Sequence, residues 1–190
     1  MDIAPDLAAS LGFPTPAYTA IERERRWLCR VVPRELELRS ERITDLYVTG
    51  ARLRLREARP LSGAPAVLRL SRKGDVDACT RLVTSIYLSE TEFALLSTTL
   101  PGRRLTKLRH RLPREDGVVL MVDEFEGELA GLMLVEAEFN SEERMFAFVP
   151  PAFAGREITS DPRFIGAVLA EHGLPPNLAA IAAGQAAVAA

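Results

Sequence analysis

Little in this chain points to a disulfide scaffold, a membrane or a bulk electrostatic partner. Its 190 residues hold two cysteines, Cys29 and Cys79, too few for a disulfide framework, so both are expected as reduced thiols in the cytoplasm. No segment approaches the roughly 18 uninterrupted apolar residues of a membrane span, and the N-terminus has no basic start followed by an apolar stretch. The formal charge of -2, from 24 basic and 26 acidic residues, supplies no field that would gather nucleic acid or anionic lipid. Histidine is scarce as well: His110 and His172 stand alone, which argues against zinc. A glycine-rich phosphate loop is missing. Lysine is almost absent, because Lys73 and Lys107 are the only two and every other base is arginine. Arginine keeps its charge where lysine can lose a proton, so the two surviving lysines are positions where arginine would not serve.

What is present reads as one globular domain of ordinary size, with 47% hydrophobic and 26% charged residues. Residues 1–19, with Pro5, Pro14 and Pro16, form an N-terminal arm; 20–176 form the domain; 177–190 are an alanine-rich C-terminal tail. Between arm and tail, eight segments alternate with period 2: roughly 20–30, 43–49, 51–59, 66–73, 80–88, 103–112, 117–126 and 131–139. That pattern predicts mainly antiparallel β structure with flanking helices, an α+β chain. Ser89-Glu-Thr-Glu92 is a capping box that opens one helix, and Asp161-Pro162 an N-cap with proline at N1 that opens a second ending near Gly173. A third, short helix is expected after Ser141.

The charges follow the alternation. One face of 20–30 carries Glu22, Glu24 and Arg26, against Ile21, Trp27 and Cys29 on the other. In the same way Arg52, Arg54 and Arg56 oppose Leu53 and Leu55; Lys107, Arg109 and Arg111 share a face; and Glu136 and Glu138 oppose Val135, Ala137 and Phe139. Arg69 and Lys73, Arg81 and Asp123 come from the remaining segments. A solvated sheet face with weak cross-strand ion pairs explains any one strand. Taken together, faces of nearly a single sign suit the interior of a closed sheet, and about eight strands make a barrel wide enough for one small ligand. Such an interior is costly when empty and dry, but paired carboxylates can share a hard divalent cation, and arginine forks can hold phosphate oxygens.

Glu22-Arg-Glu24-Arg-Arg26, Arg52-Leu-Arg54, Lys73, Lys107-Leu-Arg109, Val122-Asp123, Glu136-Ala-Glu138 and Gly155-Arg-Glu-Ile-Thr159 with Asp161-Pro-Arg163-Phe164 resemble, in order, the motifs of the CYTH superfamily, the triphosphate tunnel metalloenzymes. The resemblance covers about 21–170 and implies an eight-stranded antiparallel β-barrel forming a charged tunnel, Mg²⁺ or Mn²⁺ as cofactor, and a small triphosphate as substrate. It implies metal-side acids at Glu22, Glu24, Asp123, Glu136 and Glu138, and phosphate-side bases at Arg52, Arg54, Lys73, Arg81, Lys107 and Arg109. Lys73, Lys107 and Arg26 are the expected catalytic positions, with Glu136 or Glu138 a further candidate to orient water. Two departures stand out: Arg26 replaces a lysine common in the family, and Val83 and Ser85 occupy positions where the family often carries glutamates.

These features predict metal-dependent hydrolysis of inorganic tripolyphosphate or an organic triphosphate such as thiamine triphosphate. The alternatives are nucleotide cyclisation, as in adenylate cyclases of the same superfamily, and a non-catalytic polyphosphate or nucleotide binder. Nucleic acid is not an expected partner, since the run 103–114 lacks aromatics for stacking bases. No membrane partner is expected, and exposed apolar strand faces suggest a homodimer. Asp161 reads as a helix cap, and Phe146, Phe148 and Phe153 as packing residues.

Overall fold

A computed structural model describes residues 4–13, 18–36, 39–113 and 116–182. Pro14, Pro16, Arg114 and the tail beyond 182 lie outside the described residues. Each of the eight alternating segments is a strand: β1 (Ala20–Cys29), β2 (Arg39–Val48), β3 (Leu53–Pro60), β4 (Val67–Asp75), β5 (Thr80–Tyr87), β6 (Gly102–Arg111), β7 (Val118–Phe125) and β8 (Met133–Phe139). β1 pairs through Ala20–Arg23 with β5 and through Arg23–Leu28 with β8. The ring β1-β5-β4-β3-β2-β6-β7-β8 is therefore closed, and each pairing is antiparallel. Closure leaves these eight strands with no free edge and gives every strand an inward and an outward side.

The main departures from the periodicity are a β2 that begins at Arg39 rather than at 43, a later start of β3 and an additional strand. β3 begins at Leu53 rather than at 51, because Gly50 has φ of 73° and the Ala51 N–H turns back to the Val48 carbonyl at 3.2 Å. Arg52 thus sits in the turn before the strand. A ninth strand, β9 (Ala154–Glu157), pairs with Trp27 and Cys29 where β1 has passed beyond β5. Four residues are too few to display a period.

The helices are short. An N-terminal helix, α1 (Pro5–Ser10), leads to Phe13, which packs against Gly74 and lies under the Arg72 guanidinium at 4.6 Å. Ser89 and Glu92 form the expected capping box of α2 (Glu90–Thr99): Ser89 N–H donates to Glu92 Oε2 at 2.8 Å and Glu92 N–H to Ser89 Oγ at 3.3 Å. α3 (Glu142–Ala147) starts under Ser141, whose Oγ accepts from Arg144 N–H at 3.2 Å. The helix expected from Asp161 divides into a 3₁₀ turn at Pro162–Phe164 and α4 (Gly166–His172). The Phe164 carbonyl accepts from Arg26 Nη1 at 2.9 Å instead of continuing the helix, and Ile165 is extended. Last comes α5 (Leu178–Ala182), which brings Ile181 into the core.

Two apolar clusters hold the walls. At one end of the barrel the inward side chains turn apolar, and Leu28, Leu105, Phe125 and Leu134 meet Phe164, Leu169 and Ile181 from the C-terminal segment. Outside the β1-β8-β7 wall, Trp27, Val122, Val135 and Phe139 are covered by Val32 and Met145, with Phe148 edge-on to Phe139 at 5.2 Å. Phe148 and Phe153 pack as expected, whereas Phe146 is exposed.

Replacing Phe164 by alanine is expected to cost about 3–5 kcal/mol, since the ring is fully buried in the apolar cluster. Ser89→Ala removes the two hydrogen bonds of the capping hydroxyl on an exposed helix and is expected to cost about 1 kcal/mol. Equilibrium denaturation of both variants measures the two values, and Phe164→Ala ranking below Ser89→Ala would contradict this account of the core.

Candidate active site

Inward positions away from the apolar end are mostly ionisable, and they line a cavity of about 510 Å³. β8 and β1 bring the acids: Glu136 pairs in register with Arg26, and Glu138 with Glu24. Half-way round the ring lie β3 and β2. There Arg54 and Arg56 face inward, with Arg69 of β4 directly opposite Arg56. An acidic wall therefore faces an arginine wall, joined on one side by Arg81 and Lys73 and on the other by Lys107 and Arg109.

Ion pairs order both walls. Lys73 Nζ donates to Glu22 Oε2 at 2.5 Å. Arg81 bonds Glu24, and its Nε reaches Asp75 Oδ1 at 2.6 Å. Asp45 accepts from Arg56 Nε and Nη2, both at 2.6 Å, and lies 3.6 Å from Arg54 Nε. Asp123 is placed alike: Arg109 Nε and Nη2 reach its two oxygens at 2.7 Å, and Lys107 adds a further bond. Arg109 also bonds Glu136. Burial opposes the charge on Asp45, yet Arg56 and Arg54 hold its carboxyl far below the usual carboxylate range. The same contest at Glu136 is won by Arg109 and Lys107. At Lys73 burial wins, with help from Arg54, and the ammonium is easier to deprotonate than usual despite Glu22. Glu138 is the exception among the acids. Burial, together with Glu136, Glu22 and Glu24, raises its pKa against the pull of Arg109.

Glu22, Glu24, Arg26, Arg52, Arg54, Lys73, Arg81, Lys107, Arg109, Glu136 and Glu138, all expected at the site, line this one cavity. Their settings differ, however. Asp123 is fully buried behind Lys107 and Arg109, so its carboxylate is occupied by cations and does not line the cavity. Arg26 spends its guanidinium on the carbonyls of Phe164 at 2.9 Å and Thr159 at 3.2 Å, with Glu24 at 3.5 Å. Arg52 is exposed at the rim, and Arg56 is the buried arginine of β3. Asp161 caps its turn through Arg163 N–H at 3.1 Å. Val83 and Ser85 face inward on β5, where Ser85 Oγ meets Ser71 Oγ at 2.7 Å.

Arg56, Arg69 and Asp75 line the cavity and Asp45 braces it, although none of the four is among the site positions expected from the sequence. Alternation already placed Arg56 and Arg69 on charged faces. Asp45 carried no comparable signal, since its strand neighbours Ile43 and Tyr47 are apolar or aromatic on the same face.

The residues fit a divalent cation. Glu138 is half-buried among three other carboxylates and, among the described residues, has no hydrogen-bonding or ion-pair partner, so this wall carries uncompensated negative charge. No group of three or more His, Cys, Asp or Glu forms a ready metal shell among the described residues. Carboxylate oxygens are the donors that a hard cation takes, alongside several of its waters. No described helix is long and apolar enough to cross a membrane.

No family model matches the chain. A protein of Nitrosomonas europaea named inorganic triphosphatase is 34% identical over 153 residues, which span 78% of this chain and 96% of the relative. The crystal structure of the inorganic triphosphatase NE1496 superposes with a TM-score of 0.55 at 32% identity, covering 78% of this chain and 93% of that one. The PH1819 protein of Pyrococcus horikoshii shares the fold at a TM-score of 0.52 and 23% identity, over 65% of this chain and 81% of that one. Identity at this level along nearly the whole of a relative, on the same closed barrel and with the ordered acid and base motifs turned inward, makes the chain a member of the CYTH superfamily, the triphosphate tunnel family.

Proposed function

We propose that the chain hydrolyses a small triphosphate, with inorganic tripolyphosphate as its preferred substrate, using a divalent metal, Mg²⁺ or Mn²⁺. The observation that carries this reading is one cavity with an acidic wall facing an arginine wall. The Nitrosomonas europaea relative, by its name, supports the substrate class. Inorganic rather than organic triphosphate is favoured because the lining aromatics Tyr47, Phe125 and Phe164 pack into the apolar cluster, so they offer no free ring to stack on a base or a heterocycle.

Glu22, Glu24, Glu136 and Glu138 would hold the metal, which would act as a Lewis acid and neutralise charge on the transferring phosphoryl group. Arg54, Arg56, Lys107 and Arg109 take the phosphate oxygens. Asp45 and Asp123 act as braces: each binds the Nε and Nη2 edge of an arginine and leaves its Nη1 edge toward the cavity. Arg26 is likewise a brace, tying Glu24 to the C-terminal segment. Lys107 is engaged by Asp123, Glu136 by Arg109 and Lys73 by Glu22, so Glu138 is the group left to orient the attacking water. Val83 and Ser85 support a second reading, a binder without turnover, since they add no carboxylate to the inward face of β5.

Phosphate release from tripolyphosphate, thiamine triphosphate and ATP, each with Mg²⁺, Mn²⁺ or chelator, separates these readings. Metal-stimulated release, largest from tripolyphosphate, is the expected result; tight binding without release indicates the binder, and cyclic product from ATP a cyclase. Glu24→Gln and Glu138→Gln should each lower kcat about 100-fold or more with folding retained, and full activity in both would sink the assignment. Asp123→Asn removes the buried carboxylate that pairs with Lys107 and Arg109 and should cost about 3–5 kcal/mol of stability. Its Mn²⁺ affinity, read by calorimetry, should stay at the wild-type level, unlike that of Glu138→Gln.

A further inference from the structure

The wall formed by β3 and β4 carries more positive charge than its neighbours balance. Arg54, Arg56 and Arg69 all reach the cavity, and Arg56 and Arg69 are directly opposite each other in register. Like charges at such positions destabilise a sheet. Asp45 is the acid that serves this trio, and both of its oxygens are already taken by Arg56 at 2.6 Å. Arg54 Nε stands farther off, at 3.6 Å, and is buried without a hydrogen-bond partner. Arg69 Nε is buried and unpartnered too, and among the described residues no acid lies within ion-pair distance of Arg69. Burial, together with repulsion from Arg56 and Arg54, makes the Arg69 guanidinium easier to deprotonate than an ordinary arginine. Along β4 the inward row runs Arg69, Ser71, Lys73 at about 6.6 Å per step, so Arg69 extends the cationic surface beyond Lys73.

A buried N–H left without an acceptor costs free energy, and here two such groups belong to arginines that line the same cavity. A doubly charged phosphate held by the parts of both guanidinium groups that line the cavity offsets the repulsion. We infer that Arg69 is a further substrate-binding residue, which with Arg54 forms a subsite for a terminal phosphate of the substrate. This rests on the triphosphatase reading above. It also predicts that function and stability oppose each other at position 69, because without substrate the charge there only repels.

The test uses the full chain and the variants Arg69→Gln and Arg69→Lys, with Arg59→Gln on the outward face of β3 as a control for surface charge. Steady-state kinetics with tripolyphosphate are combined with the Tm of the metal-free protein, measured with and without tripolyphosphate. Arg69→Gln should raise KM about tenfold with a much smaller change in kcat, the loss of one charge-assisted bond. Its Tm without tripolyphosphate should equal or exceed the wild-type value, and the rise in Tm that tripolyphosphate produces should shrink. Arg69→Lys should recover part of the KM, while Arg59→Gln should match the wild type throughout. An unchanged KM and an undiminished Tm response in Arg69→Gln would overturn the proposal, as would a lower ligand-free Tm, which marks a structural role. The Tm response requires no turnover. A wild-type protein that is stabilised by tripolyphosphate but releases no phosphate would refute the hydrolase reading alone and leave the Arg69 subsite to stand or fall on the Tm response.

Discussion

Charge buried inside a closed sheet is the constraint on which the rest of this molecule depends. An isolated ion in such an interior costs far more than any single contact returns, so each inward charge needs a partner, a ligand or a path to solvent. The barrel meets that demand unevenly. Asp45 and Asp123 are fully spent on Arg56 and on Arg109 with Lys107, whereas Glu138, Arg54 and Arg69 are left under-compensated on facing walls. Where compensation is complete the side chains are braces. Where it fails, the cavity is prepared for a cation on one side and a polyanion on the other.

Keeping two charged walls apart requires a rigid frame, and the apolar clusters provide it from two directions. Trp27, Val122, Val135 and Phe139 brace the acidic wall from outside, under Met145 and Phe148. Leu28, Leu105, Phe125 and Leu134 meet the C-terminal segment at one end of the interior. Arg26 couples this frame to the site: its guanidinium holds the carbonyls of Phe164 and Thr159, and its Nε lies near Glu24. Gly166 is demanded at the same junction, because a Cβ there would lie 2.0 Å from the Tyr47 hydroxyl. Packing and electrostatics are thus not separate layers of this fold.

Much of this was legible in the order of residues. Period 2 in eight segments marked β1 to β8, and the capping box marked α2, because each signal is local and repeats within a few residues. Glu22, Glu24, Glu136 and Glu138 stood out because a single sign recurred at alternate positions. β9 escaped notice because four residues cannot show a period, and the helix from Asp161 broke in two because a distant arginine claimed the Phe164 carbonyl.

By itself, then, the sequence determined which side chains share a face, since alternation along a strand follows from backbone geometry alone. It could not decide which of those side chains would be free. Asp123 and Glu138 are both inward-facing acids on alternating strands, and neither position in the linear order says which cation it meets. Only the pairing of β7 with β6 brings Lys107 and Arg109 onto Asp123, and only the pairing of β8 with β1 sets Glu138 opposite Glu24. Partners of a buried charge come from neighbouring strands, and strand neighbours are settled when the sheet closes.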